Sequence, residues 1–248
     1  KEIFIFLEGT YLQPLRLPVH YIKTGQAGAK NQEMKQALTD QYGSFTEMAE
    51  NEIEGTDYSV AARDAGSALL VMAPHGGGIE PGISEIVRAF AAGSSVYLLE
   101  GLKRRGNKSL HVTSAHFDCP LAVRMAAGHR YILAFHGYDE PFRRHTLIGG
   151  TDRRRALLFA ETLEKHGFSA ELAAERGYLS GTNPASINNR CQTGLSVQFE
   201  ISTAQRKAMF EQFTLKGRRT SQNEVFSRYV KALKAGARIA YGPSAAGS

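Results

Sequence analysis

A histidine and a glutamate five positions apart flank three consecutive glycines in the segment Ala73–Gly82. Glycine reaches backbone angles that are closed to other residues, so this loop can fold tightly and aim His75 and Glu80 at one point. An imidazole nitrogen and a carboxylate oxygen are ordinary zinc ligands. The alternative is a glycine turn that carries a solvated histidine and a solvated glutamate.

A second histidine repeats this construction, because the apolar run Tyr131–His136 ends in a histidine that Gly137 follows. Two strand-end histidines and Glu80 make three zinc ligands and leave a fourth position for water, which is the catalytic pattern. His136 alone is equally compatible with a hydrogen-bonded structural histidine. His111 and His116 are further possible ligands, although a histidine inside a strand is more often structural.

The apolar run Leu195–Ile201 places a carboxylate, Glu200, near the carboxyl end of a predicted strand. Burying an unpaired carboxylate is costly. Beside a metal-activated water, such a group is well suited to accept that water's proton. The competing interpretation is a salt bridge between Glu200 and a nearby arginine such as Arg206.

The dipeptide Asn189-Arg190 lies about ten residues before this carboxylate and is the candidate substrate-binding element. Arginine binds a carboxylate in a two-pronged manner that lysine cannot reproduce. Arg190 and Asn189 are therefore predicted to hold an acidic substrate near the reacting bond. The alternative is an ordinary surface arginine.

Strand and helix patterns alternate along the chain and predict an α/β fold. Ligands of open α/β sheets usually bind at the carboxyl ends of the strands, where the two histidines and Glu200 fall. The predicted strands are 68–73, 95–100, 110–113, 131–136 and 195–201. The predicted helices are 31–42, 44–53, 81–92, 151–165, 203–213 and 224–235.

The length of 248 residues and the hydrophobic content of 42% are sufficient for one large core. We predict an N-terminal extension at 1–41, one catalytic domain at 42–235, and a disordered tail at 236–248. Two cysteines are too few for a disulfide framework. No apolar run approaches the roughly 20 residues of a membrane span, so we expect no membrane partner and a cytoplasmic protein, released on host lysis if a phage encodes it.

The net charge of +6 is concentrated in basic clusters at 103–108, 143–144, 153–155 and 216–219. Such a surface favours anionic partners, although the clusters could equally be solvated loops. A nucleic-acid-binding accessory protein without a metal is the second functional hypothesis. The clusters contain no interleaved aromatic residues, which weakens that hypothesis.

Six motifs together carry a resemblance to a known family. They are, in order, Ala73–Gly82, Leu110–Ser114, Phe135–Gly137, Ile148–Gly150, Asn188–Cys191 and Gln198–Ser202. In this order they resemble the poly-γ-glutamate hydrolases of bacteriophages and bacterial genomes, a family that has also been labelled phage-related replication protein. The resemblance runs from about residue 42 to about residue 213. It implies a zinc-carboxypeptidase-like fold, with a mixed, largely parallel open sheet flanked by helices.

The resemblance also implies an activity and a site. Members are zinc enzymes that cut γ-glutamyl amide bonds, so the expected partner is polyglutamate or another anionic peptide. His75, Glu80 and His136 match the metal ligands, and Glu200 matches the general base. The family commonly has Gly-Thr after the His-Glu loop, whereas this chain has Gly82-Ile83. That departure concerns substrate contact and leaves the metal ligands unchanged.

Overall fold

The computed structural model describes residues 40–91, 93–175 and 177–242. These residues form one seven-stranded sheet in the order β1-β3-β2-β4-β7-β5-β6. The strands are β1 Tyr58–Arg63, β2 Leu69–Gly77, β3 Ser95–Gly101, β4 Tyr131–Tyr138, β5 Thr146–Gly149, β6 Ala170–Leu172 and β7 Leu195–Ser202. The four central strands β3, β2, β4 and β7 are parallel, whereas β1 pairs antiparallel with β3 and β5 pairs antiparallel with β7.

Helices cover both faces of the sheet. They are α1 Phe45–Asn51, α2 Ile83–Phe90, α3 Pro120–Gly128, α4 Arg153–Lys165, α5 Thr203–Ala208 and α6 Glu224–Tyr241. Side chains of α2, α4 and α6 pack into one hydrophobic cluster, and those of α1 and α3 pack into a second. The predicted class, an α/β fold with a mixed, largely parallel open sheet flanked by helices, is confirmed.

Strand β2 is buried along its whole length because both of its faces meet helices. Its side chains alternate between the two clusters: Leu69 and Val71 point into the first, and Leu70 and Met72 into the second. A strand buried on both faces has a continuous apolar sequence, as Leu69–Ala73 does. Burying each such side chain stabilises the fold by roughly 1.5–3 kcal/mol.

The predicted strand at 110–113 is wrong. Asn107–Leu110 forms a 3-10 helix, and the residues after it pair with no strand. Their polar groups bind side chains instead: the backbone N–H and hydroxyl of Thr113 both donate to Asp40 Oδ2, each over 2.7 Å. The carboxylate of Asp40 therefore accepts the hydrogen bonds that a neighbouring strand would have accepted.

Helix boundaries agree with the capping signals at some ends and differ at others. Asp152 caps α4 by accepting from the N–H of Arg155, and Gly167, at φ +81°, follows the end of the helix at Lys165, the predicted end. Helix α5 ends at Ala208, five residues before its predicted end, and α6 continues to Tyr241, six residues past its predicted end.

Part of the predicted organisation lies outside the described residues. The helix predicted at 31–42 falls almost entirely there, as does most of the extension at 1–41 and the tail beyond residue 242. Across the three described ranges, no helix combines the length and the apolar character that crossing a membrane requires.

Candidate metal centre

Three predicted ligands converge at the carboxyl ends of two neighbouring parallel strands. His75 lies near the end of β2, Glu80 follows that strand, and His136 lies near the end of β4. One ligand atom from each residue can be chosen so that all three lie within 4.8 Å of one another. The Nδ1 atoms of His75 and His136 are 3.1 Å apart, and Glu80 Oε1 lies 3.2 Å from His75 Nδ1.

The glycine run lets the chain turn back beside its own strand. Gly76 and Gly77 continue β2 against β3, where a Cβ on Gly76 would meet Leu99 O at 2.8 Å and one on Gly77 would meet Gly101 O at 2.5 Å. Gly77 also has φ +64°, a left-handed conformation that glycine adopts without strain. The loop then closes with a hydrogen bond from the N–H of Glu80 to His75 O, so the two side chains face the same space.

Hydrogen bonds on the far side of the ligands fix their orientation. The Nε2 of His75 lies 2.8 Å from Val112 O and donates to it, which directs Nδ1 toward Glu80 and His136. The other carboxylate oxygen, Glu80 Oε2, accepts from the backbone N–H of Gly137 over 2.8 Å. Gly137, which follows the proposed ligand His136, therefore holds the carboxylate of Glu80 in place.

The pKa values of the three groups are strongly perturbed. Burial lowers the pKa of His136 to about 3, and the charge of Glu80 only partly opposes it. Burial alone would raise the pKa of Glu80, but the charge of His75 and its hydrogen bond lower it to about 2. Burial alone would lower the pKa of His75, but Glu80 outweighs it and raises the value. Glu80 is therefore ionised and His136 neutral at neutral pH.

This donor set fits a zinc ion. Two imidazole nitrogens and a carboxylate oxygen, on side chains at most 13% exposed, turn their lone pairs toward one another. Lone pairs at such separations repel unless a proton or a cation lies between them. Zinc prefers nitrogen and oxygen ligands of this kind at roughly 2.0–2.2 Å, and three protein ligands with an open position are the catalytic arrangement.

The fourth predicted residue, Glu200, lies on β7 directly beside His136 on β4 in the parallel register. It is only 5% exposed and accepts a hydrogen bond from Gln198 Nε2 over 2.8 Å. Burial, together with the charge of Glu80, raises its pKa well above the ordinary value of 4.5. A buried carboxyl whose proton affinity is raised next to a metal-binding cluster has the properties of a general base.

The competing interpretation, a salt bridge between Glu200 and Arg206, is wrong. No ion pair within 4.0 Å joins these two residues of the described chain. The guanidinium of Arg206 is buried and donates instead to three backbone carbonyls: Ile201 O at 2.9 Å, Pro81 O at 2.7 Å and Tyr138 O at 3.1 Å. Arg206 thus ties together the chain segments that follow Glu80, His136 and Glu200.

The predicted substrate-binding residues occupy a neighbouring turn. The guanidinium of Arg190 donates to Ala185 O through Nε and Nη2. Asn189 is 8% exposed, and its Nδ2 donates to Gly181 O and Asn183 O. Both side chains thus hold their own loop, and their contact with substrate stays a prediction.

The two further histidines do not join the ligand cluster. His116 is exposed. His111 stacks beside the cluster, with its ring centroid 4.1 Å from that of His75, and its Nδ1 lies 2.7 Å from Asp40 Oδ1. Asp40 is a site-adjacent residue that sequence reasoning missed, since no local pattern marks a carboxylate that bonds residues more than 70 positions away.

Asn188 is the second residue that sequence reasoning did not single out. Its side chain is fully buried, and Nδ2 lies 3.0 Å from His136 Nε2. The sequence marks this segment through Arg190, a predicted substrate-binding residue. Nothing in the sequence pairs Asn188 with His136, which lies 52 positions earlier.

Known proteins resemble this chain in sequence and in fold. The sequence model of a family described as poly-gamma-glutamate hydrolase matches residues 42–232. The UPF0714 protein YmaC of Bacillus subtilis is 48% identical over 196 residues, which cover 79% of this chain and 83% of that protein. Two solved structures each have a TM-score of 0.79 and cover 82% of this chain and 99% of their own: zinc-free apo YndL, 42% identical, and a bacteriophage poly-gamma-glutamate hydrolase, 36% identical.

Proposed function

This chain belongs to the poly-γ-glutamate hydrolase family, and we propose that it is a zinc-dependent hydrolase that cleaves γ-glutamyl amide bonds in poly-γ-glutamate or a related acidic peptide. The observation that carries the proposal is the convergence of the lone pairs of His75, Glu80 and His136 beside the buried carboxyl of Glu200. The similarity to a bacteriophage poly-gamma-glutamate hydrolase supports the substrate, and the similarity to a YndL form described as zinc-free supports the metal.

His75 and His136, each through Nδ1, and the carboxylate of Glu80 would hold the zinc ion. When bound, zinc supplies Lewis acidity that makes water a nucleophile near neutral pH and polarises the scissile carbonyl. Glu80 contributes one negative charge and the two neutral imidazoles contribute none, so the ion keeps a net positive charge. That charge favours a reaction in which negative charge develops on the carbonyl oxygen.

Glu200 would move the proton. Its carboxylate takes a proton from the attacking water and then delivers it to the nitrogen of the leaving γ-amide. The raised pKa suits this transfer because the carboxyl holds the proton long enough to pass it on. Gln198, through its hydrogen bond to Oε1, keeps the carboxyl oriented.

The acidic substrate would be attracted by the positive charge of the chain and held by Arg190 and Asn189. Each γ-linked glutamyl unit leaves a free α-carboxylate, so a polymer of them is a dense polyanion. A positive protein surface raises the local concentration of such a chain and its association rate. The family match does not favour the alternative of a nucleic-acid-binding accessory protein.

Metal analysis together with a matched pair of substrates tests this function. The purified protein should contain one equivalent of zinc and should release fragments from γ-linked polyglutamate. α-Linked polyglutamate of the same length and charge is the control, and it should be cleaved much more slowly. A zinc-free protein as active as the metal-supplemented one, or equal cleavage of both polymers, would contradict the proposal.

A further inference from the structure

Asn188 bridges the proposed metal ligand and the residue that orients the proposed base. Its Nδ2 lies 3.0 Å from His136 Nε2 and also 3.0 Å from Gln198 Oε1, and Gln198 in turn donates to Glu200. The oxygen of the same amide, Asn188 Oδ1, is buried without a hydrogen-bond partner among the described residues. A buried, unpaired amide oxygen is costly, at about 1–3 kcal/mol.

The direction of this hydrogen bond depends on where His136 carries its proton. An imidazole that binds a cation through Nδ1 must carry its proton on Nε2, and Nε2–H needs an acceptor. The NH₂ group of Asn188 cannot accept, whereas its unpaired Oδ1 can. Because a carboxamide has nearly the same shape after a 180° turn, Oδ1 can take the place of Nδ2 without displacing the side chain.

We propose that Asn188 is the positioning residue of the metal centre: its Oδ1 accepts a hydrogen bond from His136 Nε2–H and so fixes the tautomer and ring orientation in which Nδ1 can bind the metal. This inference rests on the proposed function, because it assumes that His136 is a ligand. Gln198 turns together with Asn188, so that its Nε2 donates to Asn188 Oδ1 and its Oε1 accepts from the Glu200 carboxyl when that carboxyl carries a proton. The state of the metal ligand is thereby linked to the surroundings of the base.

The turn that carries Asn188 is built to hold this position. Ile187–Asn189 forms a single 3-10 turn, in which Ser186 Oγ accepts from the N–H of Asn188. The N–H of Ile187 donates to Ser114 O over 2.8 Å, which anchors the turn to a distant segment. With its backbone fixed, the Asn188 side chain needs only the rotation of its amide to change partners.

Two substitutions test whether Asn188 acts as a hydrogen-bond acceptor for His136 or only fills space. Asn188→Leu keeps the volume but cannot accept, so the zinc affinity should fall by about 10–100-fold, the usual effect of removing a partner of a ligating histidine. Asn188→Asp is nearly isosteric and accepts without needing to turn. It should therefore bind zinc within a few-fold of the wild-type affinity, or more tightly.

The experiment measures the zinc dissociation constant of the full chain by competition with a chromophoric chelator at pH 7. The visible spectrum of the cobalt(II)-loaded protein reports the geometry of the ligands. Asn189→Leu is the matched control: it removes another buried amide from the same turn but does not touch His136, so it should lower the melting temperature and leave the zinc affinity unchanged.

Each outcome decides the inference. A leucine variant with wild-type zinc affinity and an unchanged cobalt spectrum would overturn it, and so would an aspartate variant weakened by more than tenfold. The aspartate result decides alone if Asn188→Leu does not fold. His136→Ala distinguishes failure of the zinc centre from failure of the Asn188 proposal. If the wild type binds zinc and this variant does not, the zinc centre is supported and only the role of Asn188 can fail. A wild type that binds no zinc would end both proposals.

Discussion

The Nδ1 atoms of His75 and His136 face each other at 3.1 Å, with the Glu80 carboxylate beside them. Two imidazole nitrogens at this separation require a proton or a cation between them. The raised pKa of His75 indicates that, without a metal, a proton on its Nδ1 takes this place. Proton and zinc therefore compete for one place, which leads to the first prediction.

Zinc binding should weaken as the pH falls and should release about one proton per zinc. His75 binds the metal only after losing its Nδ1 proton, so affinity should fall by up to about tenfold per pH unit below the raised pKa of His75. His136 adds nothing near neutral pH, since its pKa is lowered to about 3. Calorimetry in buffers of different ionisation enthalpy counts the protons. A pH-independent zinc affinity between pH 5 and 8 would contradict this competition.

Removal of either histidine ligand should abolish zinc binding and activity together. His75→Ala and His136→Ala each leave two ligands, and the lost lone pair has no substitute among the described neighbours. His116→Ala is the control, because His116 is exposed and outside the cluster. Zinc content by atomic absorption and turnover on γ-linked polyglutamate check the result. Full zinc in both alanine variants would rule out this centre.

Glu200→Gln should fold, retain zinc and lose activity by roughly 10²–10⁴-fold, the usual contribution of a general base. The amide keeps the shape of the carboxyl but cannot accept the proton. The pKa of Glu200 is raised in the folded state, so ionisation opposes folding above the ordinary value of 4.5. The variant should therefore match or exceed the wild-type melting temperature at pH 8. Wild-type turnover in a zinc-loaded variant would move the base elsewhere.

The metal-free protein should lose stability as the pH falls from about 4.5 to about 2, because between 6.5 and 4.5 the raised pKa of Glu200 offsets the loss that His136 contributes. The pKa of Glu80 is lowered from 4.5 to about 2, so its stabilising contribution is present above 4.5 and is lost toward 2. The pKa of His136 is lowered from 6.5 to about 3, so between these values the unfolded chain binds a proton that the folded chain does not. Urea unfolding with a chelator measures this, and Glu80→Gln should flatten the lower part of the curve.

Gly137→Ala should lower turnover markedly while the protein still folds, as judged by its melting temperature. A Cβ at this position would lie 2.5 Å from the Arg206 guanidinium carbon, so that group must move. Its movement disturbs Pro81 and Tyr138, whose carbonyls it binds and which lie next to the ligand-bearing segments. Gly128→Ala, where a Cβ has open space, is the control. A Gly137→Ala enzyme with unchanged turnover would show that the Arg206 contacts do not hold the site.

The sequence reveals the parts of the site that have local signals. His75 and His136 end apolar runs and are each followed by a glycine, so their place at a strand end can be predicted, and Glu80 follows the glycine run after His75. Glu200 stands out because a carboxylate is rare in such a run. These signals all lie within a few residues of the side chain concerned.

Long-range contacts could not be predicted in this way. Arg206 binds Pro81 across 125 positions, and Asn188 meets His136 across 52. The only partner that sequence reasoning offered for Arg206 was a salt bridge to Glu200, the competing interpretation, because carbonyl partners leave no pattern. Strands β5 and β6 have only four and three residues, which is too short for a recognisable alternation. The segment 111–113 was misread because its partner is a side chain and not a strand.

The close packing of Gly76 has a consequence for how this family can vary. A Cβ there would collide with Leu99 O and with the Ser84 hydroxyl, although Gly76 has no side chain that could ligate a metal. In a saturation-mutagenesis screen scored by growth or activity, almost every replacement at Gly76 should therefore be depleted, whereas replacements at the open position Gly128 should persist. The depletion of substitutions at Gly76 would reflect the lack of space for a side chain beside the backbone of β3. A screen interpreted without the structure would assign Gly76 to the reacting residues by mistake.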